Sequence, residues 1–353
     1  MRFAPCRVAE NSHMIRYTQV LVIGIALSFA PAICEAKREH HIQGRTMGTT
    51  YSVKVVTGDD EGISGVKEKI DRRLKEINRS MSTYQIDSEI SRFNRFKEVG
   101  QKFEISNDFF QVMRAGLKIH RLSDGAWDGT VTPLADLWGF GRSGRQDKVP
   151  PNGEIAALLP DIGFANIDVL NPGFLVKKRA TVTLDLSSIA KGYGVDEVAA
   201  LLRDLGYMEY LVEIGGEIFA AGHRKDNTRW RIGINRPRAD AAFDEVYKVV
   251  ALHNQAFATS GDYRNFFEVD GIRYSHVIDP RSGYPVSNGV VGVSIVADTC
   301  AVADGLATAV MVMGVKKGLE LIDRLDGVEG LIVVEQTDGT LVDYDSKGFE
   351  VIN

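Results

Sequence analysis

The sequence predicts an α+β protein with a mainly antiparallel sheet. Segments with strand patterns and segments with helical spacing follow one another in a mixed order, without the regular alternation of parallel βαβ units. No internal repeat or low-complexity linker divides the chain. Its 353 residues, of which 44% are hydrophobic and 25% charged, are enough to bury a large core.

The N-terminal third predicts one strand and two helices. "TMGTTYSVKVV" alternates as a half-buried strand does, and "ISGVKEKIDRRLKEINRSMS" carries apolar residues at helical spacing. "TYQIDSEISRFNRF" is interpreted as a loop. "SNDFFQVMRAGLKIHRLSDG" predicts a second helix, with Ser106 or Asn107 as its cap and Gly125 at its end.

The rest of the chain predicts further strands and helices. Helices are predicted in "EIAALLP", "SSIAKGYGVDEVAALLRDLG", "TCAVADGLATAVMVMG" and "VKKGLELIDRL". Strands are predicted in "NIDVLNPGFLVKK", "ATVTLDL", "YLVEIGGEIFAAG", "WRIGINRP", "KVVALHNQAFATSG", "RNFFEVDGIRYSHVID", "VVGVSIVA" and "EGLIVVEQTDG", which ends in a hairpin turn.

The first 36 residues are interpreted as a secretory signal peptide. "MIRYTQVLVIGIALSFAPAICEAKREHH" has a basic start, an apolar core and small residues before a charged stretch, and Met14 is a plausible true start. The apolar run is short for a membrane anchor. Both "APA" and "CEA" suit signal peptidase; lipidation of Cys34 is the alternative, but "PAIC" is a poor signal for it. The mature domain then spans 40–353, with Cys300 as its one cysteine and no intramolecular disulfide.

Charge and motifs argue against three classes of function: nucleic-acid binding, a Rossmann dinucleotide site and a P-loop nucleotidase. The net charge of -5, without Lys/Arg-rich clusters, gives no electrostatic footprint for nucleic acid. "GFGRSG" matches the dinucleotide fingerprint in form only, because it does not follow a predicted strand or open a helix. No P-loop sequence occurs.

Asp304 is an unexpected residue in "CAVADGLATAVMVMG". A buried carboxylate must be paired, hydrogen-bonded or bound to a cation. Thr308 lies four residues on and therefore on the same helix face. This pair of oxygen ligands suits Mg²⁺ or Ca²⁺, while a structural hydrogen bond explains Asp304 equally well.

Lys191 follows a strand end and a helix start in "TVTLDLSSIAKGYGVD". A helix N-terminus capped by Ser187 or Ser188, with an ammonium beside it, would suit a pyrophosphate. An ordinary capped helix with a solvated lysine explains the same pattern.

Three further positions each have a chemical and a structural interpretation. His276, just before a Pro-Gly turn region, could accept a proton or simply pack in part of the core. Gly215 and Gly216 could admit a ligand to the backbone or form a tight turn. Tyr84 could stack on an aromatic ligand or pack.

Taken in order, these stretches resemble one family over nearly all of the mature chain, the ApbE-like flavin transferases, or FAD:protein FMN transferases. The matching stretches are "GRTMGTTYSV", "MSTYQIDSEISRFN", "SDGAWDGTVTPLADLWGFG", "LDLSSIAKGYGVDEV", "VEIGGEIFAAG", "WRIGI", "FATSGDYRNFF", "YSHVIDPRSGYPV" and "ADGLATAVMVMG".

The resemblance implies a periplasmic enzyme with a single large ApbE-like domain, related to the T-fold, whose mainly antiparallel sheets are flanked by helices. It implies that FAD is the substrate and that its pyrophosphate is split with Mg²⁺. FMN would be joined through a phosphoester to a Thr or Ser hydroxyl of a partner protein, and AMP would leave.

By position, the resemblance implies the site residues. Those along FAD are Met47, Tyr84, Ala126, Trp127, Asp128, Asp185, Lys191 and Ile278. Asp304, Thr308 and the main-chain oxygen of Ser188 would hold magnesium. His276 is the predicted base for the acceptor hydroxyl, and Asp262 of "TSGDY" is its rival.

Two other functions remain open at this point. Water in place of the acceptor hydroxyl would make the protein an FAD pyrophosphatase, giving FMN and AMP. A periplasmic flavin-binding protein without catalysis is the other. The partners that the resemblance implies are periplasm-facing electron-transport subunits, of sodium-pumping NADH:quinone reductase-like or Rnf-like complexes, with an Asp-Gly-x-Ser/Thr-Gly-Ala-Ser/Thr type motif.

Overall fold

The computed structural model describes residues 37–58, 62–141, 144, 147–242 and 244–352. The helices are α1 (Val66–Met81), α2 (Glu89–Arg95), α3 (Asn107–Leu122), α4 (Thr132–Leu137), α5 (Asn152–Leu158), α6 (Ser187–Asp204) and α7 (Cys300–Ile322). The strands are β1 (Lys37–Thr46), β2 (Thr49–Gly58), β3 (Lys102–Glu104), β4 (Ile167–Leu170), β5 (Phe174–Lys177), β6 (Tyr210–Ile214), β7 (Glu217–Ala221), β8 (Trp230–Asn235), β9 (Val246–Leu252), β10 (Gln255–Gly261), β11 (Phe266–Val269), β12 (Ile272–Ser275), β13 (Val290–Ala297), β14 (Glu329–Glu335), β15 (Leu341–Asp345) and β16 (Val351–Ile352).

An eight-stranded sheet dominates the described part of the chain, in the order β1-β2-β6-β7-β10-β13-β14-β15. Each neighbouring pair in it is antiparallel. Smaller sheets have the orders β3-β5-β4, β16-β9-β8 and β11-β12, and their pairs are antiparallel as well. The predicted α+β class with mainly antiparallel sheets is therefore confirmed.

The core covers both faces of the main sheet. On one face, Val293 and Ile295 of β13 belong to the same apolar cluster as Leu306 of α7. On the other face, Val296 clusters with Trp230 of β8. Strand β13 is consequently buried at every position, which is why its sequence, "VVGVSIVA", is continuously apolar instead of alternating.

The two longest helices, α6 and α7, pack closely against each other. Gly192 of α6 lies against the main chain of Cys300 at the start of α7, where a Cβ atom would collide with the carbonyl group. The two C-terminal helices predicted separately form one helical run, interrupted at Gly314, whose φ of 75° is left-handed. Lys191 of α6 precedes Gly192, whose N–H donates to Asp304 of α7, so the close helix contact places Lys191 near Asp304.

Three local predictions were wrong. The predicted loop after α1 contains α2, whose cap is the Ser88 hydroxyl, accepting from the N–H of Ser91. The segment "ATVTLDL" is not a strand; the Asn94 side chain bonds both the N–H and the carbonyl of Leu184 in place of a neighbouring strand. The prediction also missed β1, which pairs with β2 along its whole length.

The Ser106 cap of α3 is confirmed, since its hydroxyl accepts from the N–H of Phe109. The signal peptide and Cys34 lie outside the described residues. Over the ranges that the structure does describe, no helix combines the length and the apolarity needed to cross a membrane.

Candidate functional site

A cleft of about 990 Å³ lies beside the first turns of α6 and the first half of α7. It is also lined by the loop after α3, by the end of β10 and by the segment after β12. The predicted site residues that line it are Tyr84, Ala126, Trp127, Asp128, Asp185, Ser188, Lys191, His276, Ile278, Asp304 and Thr308. Folding therefore brings together residues that are far apart in the sequence.

Met47 lies in an adjoining cavity of about 590 Å³, which shares Tyr84, Asp185 and Lys191 with the cleft. It occupies the turn between β1 and β2 with a positive φ of 48°. Its side chain fits beside Gly194 of α6, where a Cβ would come within 2.9 Å of the methionine Cε. The Tyr84 side chain is 88% exposed, so it does not pack into the core.

Asp304 is buried, with 4% of its surface exposed. Its Oδ2 accepts a hydrogen bond of 3.0 Å from the N–H of Gly192. Burial raises the pKa of Asp304, while the charge of Lys191 and the Gly192 bond oppose the rise. The structural hydrogen bond considered from the sequence is thus present, and the predicted cation would be an additional partner.

Glu217, at the start of β7, is a residue of the cleft that the sequence analysis missed. Its Oε1 lies 2.5 Å from Nζ of Lys191. Burial lowers the pKa of Lys191, but the negative charges of Asp304 and Glu217 have the larger combined effect, so the pKa is raised overall. Lys191 is therefore a held, charged group and not the solvated lysine of the alternative interpretation. The sequence did contain an indication of this residue, because a glutamate at an inward-facing strand position is rarely buried without a partner.

Oxygen ligands for a hard cation surround Asp304. The Thr308 hydroxyl lies in the cleft and is 3.2 Å from the Ser260 hydroxyl. Ser188 lines the same cleft, and its main-chain carbonyl oxygen has two lone pairs, so it has capacity for a cation beside a helical hydrogen bond. No group of three or more His, Cys, Asp or Glu side chains in the described ranges is arranged to hold a metal. Magnesium commonly uses one or two carboxylates and takes its remaining ligands from water or phosphates, so this donor set fits it.

The cap of α6 differs from the one predicted, and α7 is capped by a carboxylate of α6. Neither Ser187 nor Ser188 caps α6 with its side chain; the Asp185 carboxylate accepts from the N–H of Ser187 at 2.8 Å. At α7, the Asp196 carboxylate accepts from the N–H groups of Cys300 and Ala301 at 2.7 and 2.9 Å. Burial raises the pKa of Asp196 to about 7, and these two N–H groups oppose that rise. Asp185 lies only two residues before the N–H that it caps, whereas Asp196 lies on another helix, so local pattern does not reveal the cap of α7.

Hydrogen bonds to neighbouring segments hold the loop Ala126–Asp128 in place. Oδ1 of Asp128 accepts from the N–H and the hydroxyl of Thr130, and Oδ2 lies 3.2 Å from Nδ1 of His120. The indole N–H of Trp127 donates to the Ser188 hydroxyl at 3.0 Å. The Asp128 carboxylate is therefore occupied by Thr130 of its own loop and by His120 of α3, and the predicted contact of this loop with FAD remains a prediction.

His276, the predicted base, lines the cleft and has one ring nitrogen in a hydrogen bond. Its Nδ1 is 3.1 Å from the carbonyl of Asn265. A carbonyl oxygen only accepts, so Nδ1 carries the proton and Nε2 is left as the acceptor. Burial lowers the pKa of His276, with the Asn265 bond and the charge of Asp262 opposing. The imidazole is therefore neutral at pH 7.

Asp262, the rival base, is not among the described residues that line the cleft. It is buried, and its Oδ1 accepts from Nη2 of Arg273 at 3.4 Å. Gly215 and Gly216 form the turn between β6 and β7, both with positive φ, as the tight-turn interpretation requires. Gly141 of "GFGRSG" lines the cleft but follows α4 and not a strand, so the dinucleotide fingerprint stays excluded.

Comparisons with known proteins agree on one family. The model of the ApbE family matches residues 47–332. The FAD:protein FMN transferase of Vibrio cholerae is 40% identical over 333 residues, which cover 93% of this chain and 97% of that protein. The solved flavin transferase ApbE from Vibrio cholerae superposes with a TM-score of 0.80 at 39% identity, covering 89% of this chain and 98% of its own. The apo flavinyl transferase ApbE of Pseudomonas stutzeri gives 0.79 at 38% identity, covering 88% and 95%.

Proposed function

The chain belongs to the ApbE family, and on that premise we propose that it is an FAD:protein FMN transferase. It moves the FMN part of FAD to a Thr or Ser hydroxyl of a partner protein and releases AMP. The observation that carries the proposal is the content of one cleft, in which the Lys191 ammonium, the Asp304–Thr308 pair and the His276 imidazole lie together. These are the groups that phosphoryl-type transfer requires for binding, charge and proton removal.

The residues of the cleft divide the work. Lys191 would bind the pyrophosphate of FAD, and Asp304, Thr308 and the Ser188 carbonyl would hold Mg²⁺. When bound, the magnesium ion would neutralise charge on the pyrophosphate oxygens. Glu217 keeps Lys191 charged and fixed in place through its 2.5 Å contact.

His276 is the proposed base. Its Nε2 takes the proton of the acceptor hydroxyl as the oxygen forms its bond to the FMN phosphorus. The bond from that phosphorus to the bridging oxygen breaks, and AMP leaves with the bonding electrons. We prefer His276 to Asp262 because His276 lines the cleft and presents an unprotonated nitrogen.

The predicted signal peptide and the resemblance support the proposal of a periplasmic location. The partners would then be flavin-accepting subunits of electron-transport complexes that face the periplasm, such as sodium-pumping NADH:quinone reductase-like or Rnf-like subunits. Attachment through a lipidated Cys34 is the less favoured alternative.

The proposal is tested by measuring the covalent transfer of flavin to an acceptor protein. The mature chain is incubated with FAD, Mg²⁺ and a tagged protein bearing the acceptor motif, and flavin fluorescence is read in a denaturing gel. Asp304→Ala is run beside Asp298→Ala, which removes an exposed carboxylate six residues upstream. We expect a fluorescent acceptor band with the wild type and Asp298→Ala, which is lost with Asp304→Ala or EDTA.

Other outcomes separate the competing functions. FMN and AMP in solution without a labelled acceptor would favour an FAD pyrophosphatase. FAD binding without either product would leave a non-catalytic flavin-binding protein.

A further inference from the structure

We propose that Glu217 is a second carboxylate of the divalent-cation site, whose Oε2 accepts a hydrogen bond from a water molecule on the cation. The inference rests on the proposed function, since that function places a cation beside Asp304. Glu217 would act through the water shell of the cation and through Lys191, and it is therefore a positioning residue.

The geometry of Glu217 leaves one of its oxygens without a partner. The residue is 3% exposed and lines the cleft. The contact of Oε1 with Lys191 fixes the carboxylate, while Oε2 is the one buried side-chain polar atom among the described residues that lacks a hydrogen bond. An orphaned buried acceptor costs about 1–3 kcal/mol, so folded proteins rarely keep one without a use. A donor that arrives with the ligand would satisfy this oxygen.

The local charge balance favours a cation over a neutral donor. With both carboxylates ionised, Asp304 and Glu217 carry two negative charges against the one positive charge of Lys191. A divalent cation beside Asp304 would offset this excess negative charge.

The coordination habits of magnesium explain why Glu217 would act through water. Magnesium dehydrates reluctantly and keeps several waters while using few protein carboxylates. Carboxylates that bond to ligands of the metal orient them, and their loss typically lowers metal affinity about 10–100-fold. Glu217 has the position and the free acceptor for that role beside Asp304.

A nearby carboxylate provides a matched control. Glu213 of β6 also lies close enough to Lys191 for its pKa to be lowered by that charge, although burial raises it overall. Its Oε1 accepts from the N–H of Gly216, and it is not among the described residues that line the cleft. Glu213→Gln therefore removes the same charge as Glu217→Gln without touching the cleft.

The experiment is a titration of the mature chain with Mn²⁺ in the absence of FAD, with free Mn²⁺ read from its electron paramagnetic resonance signal. We expect the wild type and Glu213→Gln to bind one ion with similar affinity. Glu217→Gln should bind at least about tenfold more weakly, and Asp304→Ala should lose binding. Glu217→Asp keeps the negative charge, but its side chain is one methylene shorter and the carboxylate lies further from the cation. This variant should therefore also bind Mn²⁺ more weakly than the wild type.

Thermal melting of each variant shows whether it is folded, and Glu217→Asp serves as the test if Glu217→Gln does not fold. Unchanged Mn²⁺ affinity in a folded Glu217 variant would overturn the inference, as would an equal loss in Glu213→Gln or no binding by the wild type. FMN transfer to the acceptor is measured separately, so the proposed function can survive any of these results.

Discussion

Asp304 is a single residue whose position in the sequence indicates a functional site before the fold is known. A carboxylate in a small apolar helix needs partners, and the structure supplies the Gly192 N–H and the Lys191 charge. These partners lie on a different helix, about a hundred residues earlier in the chain. At the residue scale the sequence therefore identified the anomaly, while its partners depended on tertiary contacts.

His276→Ala should lower the rate of FMN transfer about 10²–10⁴-fold, the usual contribution of a general base. FAD affinity should remain within a few-fold of the wild type, because the imidazole acts on the acceptor proton. Initial rates of acceptor labelling and equilibrium FAD binding measure the two effects. Asp262→Asn is the comparison, and a deep loss there with a normal rate in His276→Ala would make Asp262 the base.

Because of Lys177, we expect the free energy of unfolding to rise with pH. This fully buried lysine donates to main-chain carbonyls, 2.7 Å from that of Val182, and no carboxylate in the described ranges pairs with it. Burial lowers its pKa to about 8. Between pH 8 and 10.5 the unfolded chain binds more protons than the folded one. The free energy of unfolding should thus rise with pH, by up to about 1.4 kcal/mol per unit.

Urea unfolding at pH 7.5 and 9.5 tests this effect of Lys177. The rise should be smaller in Lys177→Met, which has no proton to lose. An identical pH dependence in the two proteins would show that the buried ammonium does not control it.

At the scale of elements, the contact between α6 and α7 forms the site. Gly192 permits the close approach, and Asp196 of α6 caps α7 through the N–H groups of Cys300 and Ala301. Lys191 and Asp304 then lie on either side of the contact. Helical spacing predicted both helices, but it did not predict which faces would meet.

Gly192→Ala should destabilise the protein by about 1–3 kcal/mol and lower FMN transfer, because the new methyl group collides with the Cys300 carbonyl. Gly194→Ala, two residues on, meets the flexible ends of the Met47 and Ile214 side chains and should cost less. Chemical unfolding and transfer rates of both variants measure the difference. Equal stability of the two variants would contradict the proposed role of this helix contact.

At the scale of the whole molecule, the sheet and its covering layers place distant motifs around one cleft. β10 and Glu217 of β7 come from the main sheet, while His276 follows the separate β11-β12 hairpin. The cleft is large enough, at about 990 Å³, for a ligand of dinucleotide size. Binding of FAD should therefore stabilise the whole fold.

FAD at about 100 times its dissociation constant should add about 2.7 kcal/mol to the free energy of unfolding and raise the melting temperature by several degrees. Riboflavin, which lacks the pyrophosphate, should give a smaller shift at the same concentration. Lys191→Met should reduce the shift with FAD more than that with riboflavin. Equal shifts for the two flavins in the wild type would argue against a pyrophosphate at Lys191.

The sequence by itself determined the α+β class, most of the helices and strands, the unusual Asp304 and, through resemblance, the family. These features depend on local periodicity and on ordered motifs, which a linear sequence contains. Tertiary structure alone decided the carboxylate cap that Asp196 gives α7 and the place of Glu217 beside Lys191. Each of these depends on a partner from a distant segment, and side-chain pattern along one segment does not encode the position of another.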